Sequence, residues 1–426
     1  MTGPRWAGVL TAVTVLVVVG LLLLLTGVPG GAGRSGPGTD PGRYWYGTLQ
    51  TDPEKAGTEY EHGIRVAHLQ IDWGRFEPEQ GVYDEAYARE VADRLREFRD
   101  AGLLVETGLG LNHPPSWLRG AFPESVFENQ FGRQSDTTPN IVFSEPVREH
   151  VAAYAQAVDR LVGLENFWAI RVGINESGEF AYPAPLSEGS GKAEYWAYDR
   201  HAQESSPFPG WRPGDRTYDG KPFTREQVAR WYDWYAGALA GAVNWQLDLY
   251  ASLGHTGPLK VLVPGAGFYP SDLRAALDAR LVGSPSIRLV GRAAGFFLTL
   301  GLVEHRDQVR IVTTALVDGT GDPDDNGCAP GDAKVDVRNP DDAMVRDWSS
   351  SRWVAAVARS AGFTQLTGES AGPQVAGYRP GVTEKAYEQM ASCGLEGMMW
   401  AFDRQLYDGT PGSSLAEYAE TIRRHP

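Results

Sequence analysis

The chain has 426 residues, with 54 Asp and Glu against 39 Lys and Arg, for a formal net charge of −15. So acidic a chain lacks the basic face of a nucleic-acid binder, and no nucleic-acid partner is expected. With 42% hydrophobic and 22% charged residues it is neither disordered nor a multi-span membrane protein. Its length allows two or three domains or one large α/β barrel.

Residues 1–6 are a short tail expected in the cytoplasm. Residues 7–28 carry no charge. At about 1.5 Å per residue they reach roughly 33 Å, enough for a bilayer core of about 30 Å. The pattern predicts a single-pass membrane anchor with everything downstream outside the cytoplasm. Cleavage near Gly30, Gly31 and Ala32, giving a secreted protein, is the alternative. Residues 29–43 are rich in Gly and Pro and predict a flexible tether. Residues 44–426 then form one domain.

Within that domain short apolar runs alternate with longer amphipathic stretches. Strands are expected at 44–49, 64–71, 103–109, 168–174, 260–263, 309–316, 363–367 and 397–402. The clearest helices are expected at 86–101, 145–161, 225–253, 349–361, 383–392 and 415–424. Eight such units predict a (β/α)8 TIM barrel, in which chemistry sits past the C-terminal ends of the strands. No Gly-rich phosphate loop follows the first strand, which argues against a doubly wound sheet.

That rule directs attention to two carboxylates. The fourth strand ends in Asn175-Glu176 and the seventh in Gly368-Glu369-Ser370. Strands four and seven lie on opposite sides of a barrel mouth, and a pair of facing carboxylates is what glycoside hydrolysis requires. An aromatic content of 11% fits a surface that stacks on sugar rings.

Four segments carry a family resemblance. Trp73-Gly-Arg-Phe-Glu77-Pro78-Glu-Gln-Gly81-Val-Tyr83 and Pro115-Ser-Trp117-Leu118 resemble signatures of glycoside hydrolase family 42, the β-galactosidases. Phe167-Trp168 followed by Asn175-Glu176 resembles the acid/base segment of that family. The resemblance implies a retaining (β/α)8 β-glycosidase, β-galactosidase-like, that needs no cofactor or metal. It makes Glu176 the acid/base, Glu369 the nucleophile and Asn175 the partner of the sugar 2-hydroxyl. Trp400 matches the aromatic platform beneath the sugar, and Trp73 is expected to contribute to the same site. One departure stands out. Gly178-Glu179-Phe-Ala-Tyr182-Pro183 resembles the acid segment of β-amylases, whose mechanism inverts; on that reading Glu179 is the acid. A non-catalytic surface carbohydrate-binding protein is the non-enzymatic alternative.

Asn112 and His113, after strand three, are expected to face the opening and bind hydroxyls. Residues 182–223 form a long insertion that either walls the cleft or packs on itself. Trp231, Trp234, Tyr235 and Trp245 have helical spacing and are expected to pack between helix and barrel. The acidic run at 322–327 begins like a calcium loop, but position twelve is Ala333 instead of Glu, so a polar turn is expected. Asn175-Glu-Ser177 fits a glycosylation sequon that a sugar site would not tolerate. Cys328 and Cys393 fall at opposite faces of the barrel and are expected as free thiols, with Cys393 buried.

Overall fold

Eight apolar strands pair in parallel and close into a barrel, as the alternation predicts. In chain order they are β1 (Trp45–Thr48), β2 (Val66–Gln70), β3 (Leu104–Gly108), β4 (Ala169–Val172), β5 (Leu259–Val263), β6 (Val309–Leu316), β7 (Leu366–Ser370) and β8 (Gly397–Trp400). Each pairs with its sequence neighbours, and β8 returns to β1 with Thr48 opposite Trp400. The computed structural model describes residues 43–186, 193–283, 287–304, 307–319, 327–339, 341 and 344–426. The expected tail, anchor and nearly all of the tether lie outside the described residues, as does most of the acidic run at 322–327. Among the described residues no helix is long and apolar enough to cross a membrane.

The surrounding helices are α1 (Ala56–Glu61), α2 (Glu85–Asp100), α3 (Glu145–Val162), α4 (Arg225–Ser252), α5 (Pro270–Asp278), α6 (Ser350–Ser360), α7 (Val382–Ser392) and α8 (Leu415–Arg424). Local chemistry sets their ends. Asp84 caps α2 by accepting from the backbone N–H groups of Ala86 and Tyr87 at 2.8 and 3.0 Å. Val91, Leu95 and Phe98 then bury one stripe of that helix at spacings of four and three. Thr224 and Gln227 close a capping box at the start of α4.

The seventh strand lies three residues later than expected. Gly362, at φ +91°, turns the chain out of α6, and the Phe363 N–H still bonds the Ala358 carbonyl. The segment before Leu366 is therefore spent on the turn, and Glu369 lies inside β7 instead of just beyond it. Pairing between β6 and β7 also slips here. Thr313 faces Gly368 and Leu316 faces Ser370, so Thr314 and Ala315 together oppose Glu369. A bulge of this kind re-aims side chains at the strand end.

Much of the aromatic excess serves packing. Trp73, Trp196, Trp211, Trp231, Trp353 and Trp400 are all fully buried. The described parts of the 182–223 insertion pack on α4: Tyr182 stacks on Tyr235 at 4.2 Å, Tyr195 meets Trp231 edge-on at 5.6 Å, and Trp211 meets Trp231 at 5.4 Å. The α4 aromatics are therefore packing residues, as their helical spacing implies.

The two cysteines are not free. Cys328 and Cys393 form a disulfide with their Cα atoms 4.7 Å apart. The expectation of free thiols assumed that the loop after β6 stays at the catalytic face. Instead residues 327–339 lie against the outer helices α6 and α7. Asp332 forms a two-point ion pair with Arg352 on α6, and the Cys328 N–H donates to Ser392 Oγ at the end of α7. Cys393, next in the chain, is fully buried as expected.

Candidate active site

The floor of the barrel mouth is built from polar residues on strands that are otherwise apolar. Alternate residues of a barrel strand point inward, and His68 (β2), Glu106 (β3), Arg171 (β4), Lys260 (β5) and Glu369 (β7) meet there. Glu106 pairs with Lys260 on one side and with Arg171 Nη1, at 2.7 Å, on the other. Arg171 also spans Glu369, with Nη1 2.7 Å from Oε1 and Nη2 3.2 Å from Oε2. Two anions and two cations thus alternate in a buried chain, which is how charges are accommodated away from water. Burial alone would raise the Glu106 pKa, but Lys260 and Arg171 outweigh it and bring it down to about 2. Burial, then the nearby Arg171, pushes His68 down to about 3, so its ring is neutral.

Above this floor the loop after β4 folds back on itself. Asn175 is fully buried, and its Oδ1 accepts from the N–H groups of Ser177 and Glu179 at 2.9 and 2.8 Å. Gly173 is required for the fold-back, since a Cβ there would lie 1.9 Å from the Gly178 carbonyl oxygen. Gly178, at φ +71°, completes the turn. The result turns Glu179 toward the barrel. Its Oε1 accepts from Thr314 Oγ1 at 2.7 Å, and its Oε2 from Asn175 Nδ2 at 3.4 Å. Burial raises the Glu179 pKa; the Thr314 and Asn175 hydrogen bonds oppose the rise, and the Glu369 charge adds to it. The bulge in β6 supplies Thr314 at the position opposite Glu369, so strand geometry and site geometry have one origin.

Glu176 lies elsewhere. Its carboxylate accepts from the Ala184 N–H at 3.1 Å and faces Arg292 at 3.4 Å, with the side chain a third exposed. The structure brings Glu179 together with Glu369 and gives Glu176 other partners. Asn175 organises the turn and also lines the cleft. Asn112 and His113 do line the cleft, with Gln50, Gln70, Arg171 and Phe402.

Trp73 and Trp400 do not line it. Trp73 is fully buried, stacks 5.0 Å from Tyr154 and donates from Nε1 to Glu77 Oε2 at 2.8 Å. Glu77 also accepts from the Gly81 N–H at 2.7 Å and faces His150, while Trp117 Nε1 donates to the Glu77 carbonyl at 2.8 Å. The Trp-Glu-Pro-Gly and Pro-Ser-Trp-Leu motifs therefore clasp each other as scaffold. Trp400 is likewise enclosed, donating to Ser413 Oγ at 2.8 Å and packing on Tyr378 and Tyr418. The aromatic residue just after β8 at the cleft is Phe402. The sequence signal for His68, Glu106, Arg171, Lys260 and Thr314 is a polar or charged residue inside each of several apolar strands. Among the described residues no group of three or more His, Cys, Asp or Glu could hold a metal ion.

The fold is a closed (β/α)8 barrel with a polar mouth. No family model matches the chain. Solved structures do match in fold. The catalytic domain of β-amylase from Paenibacillus polymyxa superposes with a TM-score of 0.59 at 16% identity, covering 90% of this chain and 99% of that one. The β-galactosidase of Marinomonas ef1 gives a TM-score of 0.53 at 14% identity over 89% of this chain. That of Bacillus circulans sp. alkalophilus gives 0.54 at 13% over 90%. The match spans only 58% and 56% of those two β-galactosidases.

Proposed function

We propose that this protein is a glycoside hydrolase in which Glu179, rather than Glu176, is the acid/base and Glu369 is the nucleophile. The observation that carries the reading is the contrast between the two carboxyls at the barrel mouth. Burial raises the pKa of Glu179, whereas Glu369 is ion-paired with Arg171, which donates a hydrogen bond to its Oε2. Separated environments of this kind assign acid and anion in glycosidases. A Glu369 oxygen attacks the anomeric carbon as the bond to the aglycone oxygen breaks, and the Glu179 proton passes to that oxygen. Water then attacks the same carbon, gives a proton to Glu179 and displaces Glu369.

The family 42 motif resemblance favours retention. The inverting alternative draws support from the Gly-Glu-x-x-Tyr-Pro segment, in which Glu369 would activate water instead. A β-galactoside or related β-glycoside is the proposed substrate class, on the motif resemblance. The proposed location is outside the cytoplasm, tethered through residues 7–28, and the Cys328–Cys393 disulfide supports an oxidising compartment. Proton NMR of the first-formed sugar from an aryl β-glycoside tests the mechanism. The β-anomer is expected; the α-anomer would establish inversion, and no hydrolysis of any aryl glycoside would remove the glycosidase reading.

A further inference from the structure

We propose that Glu106 and Lys260 are positioning residues that hold Arg171 against Glu369 without touching substrate themselves. The inference rests on the glycosidase reading above and adds to it a support for the nucleophile. Both side chains are fully enclosed, so neither can meet a sugar. Glu106 gives one oxygen to each neighbour: Oε1 accepts from Arg171 Nη1 at 2.7 Å, and Oε2 accepts from Lys260 Nζ. With both oxygens engaged the carboxylate cannot turn. It fixes Nη1 where that nitrogen also lies 2.7 Å from Glu369 Oε1, and Nη2 then donates to Glu369 Oε2 at 3.2 Å. A guanidinium is planar and rigid, so fixing it on the Glu106 side sets its direction on the Glu369 side.

Lys260 stands in β5 among Leu259, Val261, Leu262 and Val263. Its Nζ lies over the rings of Trp45 and Trp168, at 4.5 and 5.2 Å. Replacing a buried ion pair by packed apolar residues is often neutral or stabilising, so fold stability does not account for a lysine here. Charge balance at the barrel mouth does. Glu106 and Glu369 both face one guanidinium, and Lys260 cancels the Glu106 charge, which leaves Arg171 to Glu369. Burial pushes Glu106 up; Lys260 from β5 opposes this most, ahead of Arg171 from β4 and His68 from β2. Lys260 in turn feels Arg171 and Glu369, so the charges act as one unit. Glu179 also senses the Glu369 charge but has its own partners in Thr314 and Asn175. Without Lys260, two enclosed carboxylates would share Arg171.

The test compares wild type, Lys260→Met and the double variant Glu106→Gln/Lys260→Met on 2,4-dinitrophenyl β-D-galactopyranoside, or on the glucoside if it is turned over faster. That leaving group needs little protonation, so the rate reads Glu369 instead of Glu179. Rates are expressed per folded enzyme, with the folded fraction taken from near-ultraviolet circular dichroism at the assay temperature. Lys260→Met is expected to lose about 10- to 100-fold in kcat, the scale of a displaced reacting group. Its KM should stay within about threefold, since the change is not in substrate binding. The loss should shrink toward acid pH, where Glu106 takes up a proton and releases Arg171. The double variant removes both charges and keeps an amide oxygen for Nη1, so it should recover most of the lost kcat. A purely structural pair would lower the folded fraction and leave kcat per folded enzyme unchanged. That result, or a double variant no faster than Lys260→Met, would overturn the proposal. A wild type that turns over neither glycoside removes the glycosidase reading, and this inference with it.

Discussion

Replacing Glu179 by Gln separates the two candidate acids. The change keeps shape and the Thr314 and Asn175 neighbours but removes the transferable proton. Loss of a positioned general acid costs about 10²- to 10⁴-fold when the leaving group needs protonation. The loss should be near the upper figure for an alkyl β-glycoside and much smaller for a dinitrophenyl one, whose departing oxygen needs little help. The pH profile supplies an independent check. Glu179 must be protonated to act, and burial raises its pKa, so wild-type kcat/KM should fall as pH rises through that raised value. Glu179→Gln should lack this basic limb. Glu176→Gln breaks only a part-exposed contact to Arg292 at 3.4 Å and one backbone hydrogen bond. Such contacts contribute at most about 1 kcal/mol, so less than a roughly fivefold change is expected. If Glu176→Gln instead abolishes alkyl-glycoside hydrolysis while Glu179→Gln keeps it, the argument from burial and turn geometry fails.

Two further expectations concern stability. The disulfide closes a loop of 65 residues, which on the chain-entropy account contributes about 4 kcal/mol; the double variant Cys328→Ser/Cys393→Ser should therefore unfold at clearly lower denaturant than wild type, and an unchanged midpoint would contradict the assigned pairing. Glu59 is pushed up to about 10, by burial first and then by the adjoining Asp403 carboxylate. The native state thus keeps a proton that the unfolded chain releases, so this group's contribution to stability is lost as pH rises from the ordinary carboxylate range toward 10. Glu59→Gln should flatten the decline of melting temperature across that interval, and a slope unaltered by the substitution would show that Glu59 is not its source.

Much of this protein was legible in the residues alone. The alternation of apolar runs and amphipathic stretches located the strands, β7 alone being three residues later than expected, and the main helices, because burial on both faces of a barrel strand and on one stripe of a helix leaves a direct record in residue order. The same logic led to the loop after β4 and to Glu369. What it could not do was choose between Glu176 and Glu179, three residues apart. The proposed choice of Glu179 rests on a turn closed by Asn175, on the close approach of Gly173 to Gly178, and on a bulge that brings Thr314 opposite Glu369. Nor could it tell that Trp73 and Trp400 are enclosed, or that the loop bearing Cys328 meets Cys393. Periodicity is a local property, set by neighbours along the chain. The direction of a side chain at a strand end, and the path of a long loop, are set by groups remote in sequence that meet only once the barrel has closed.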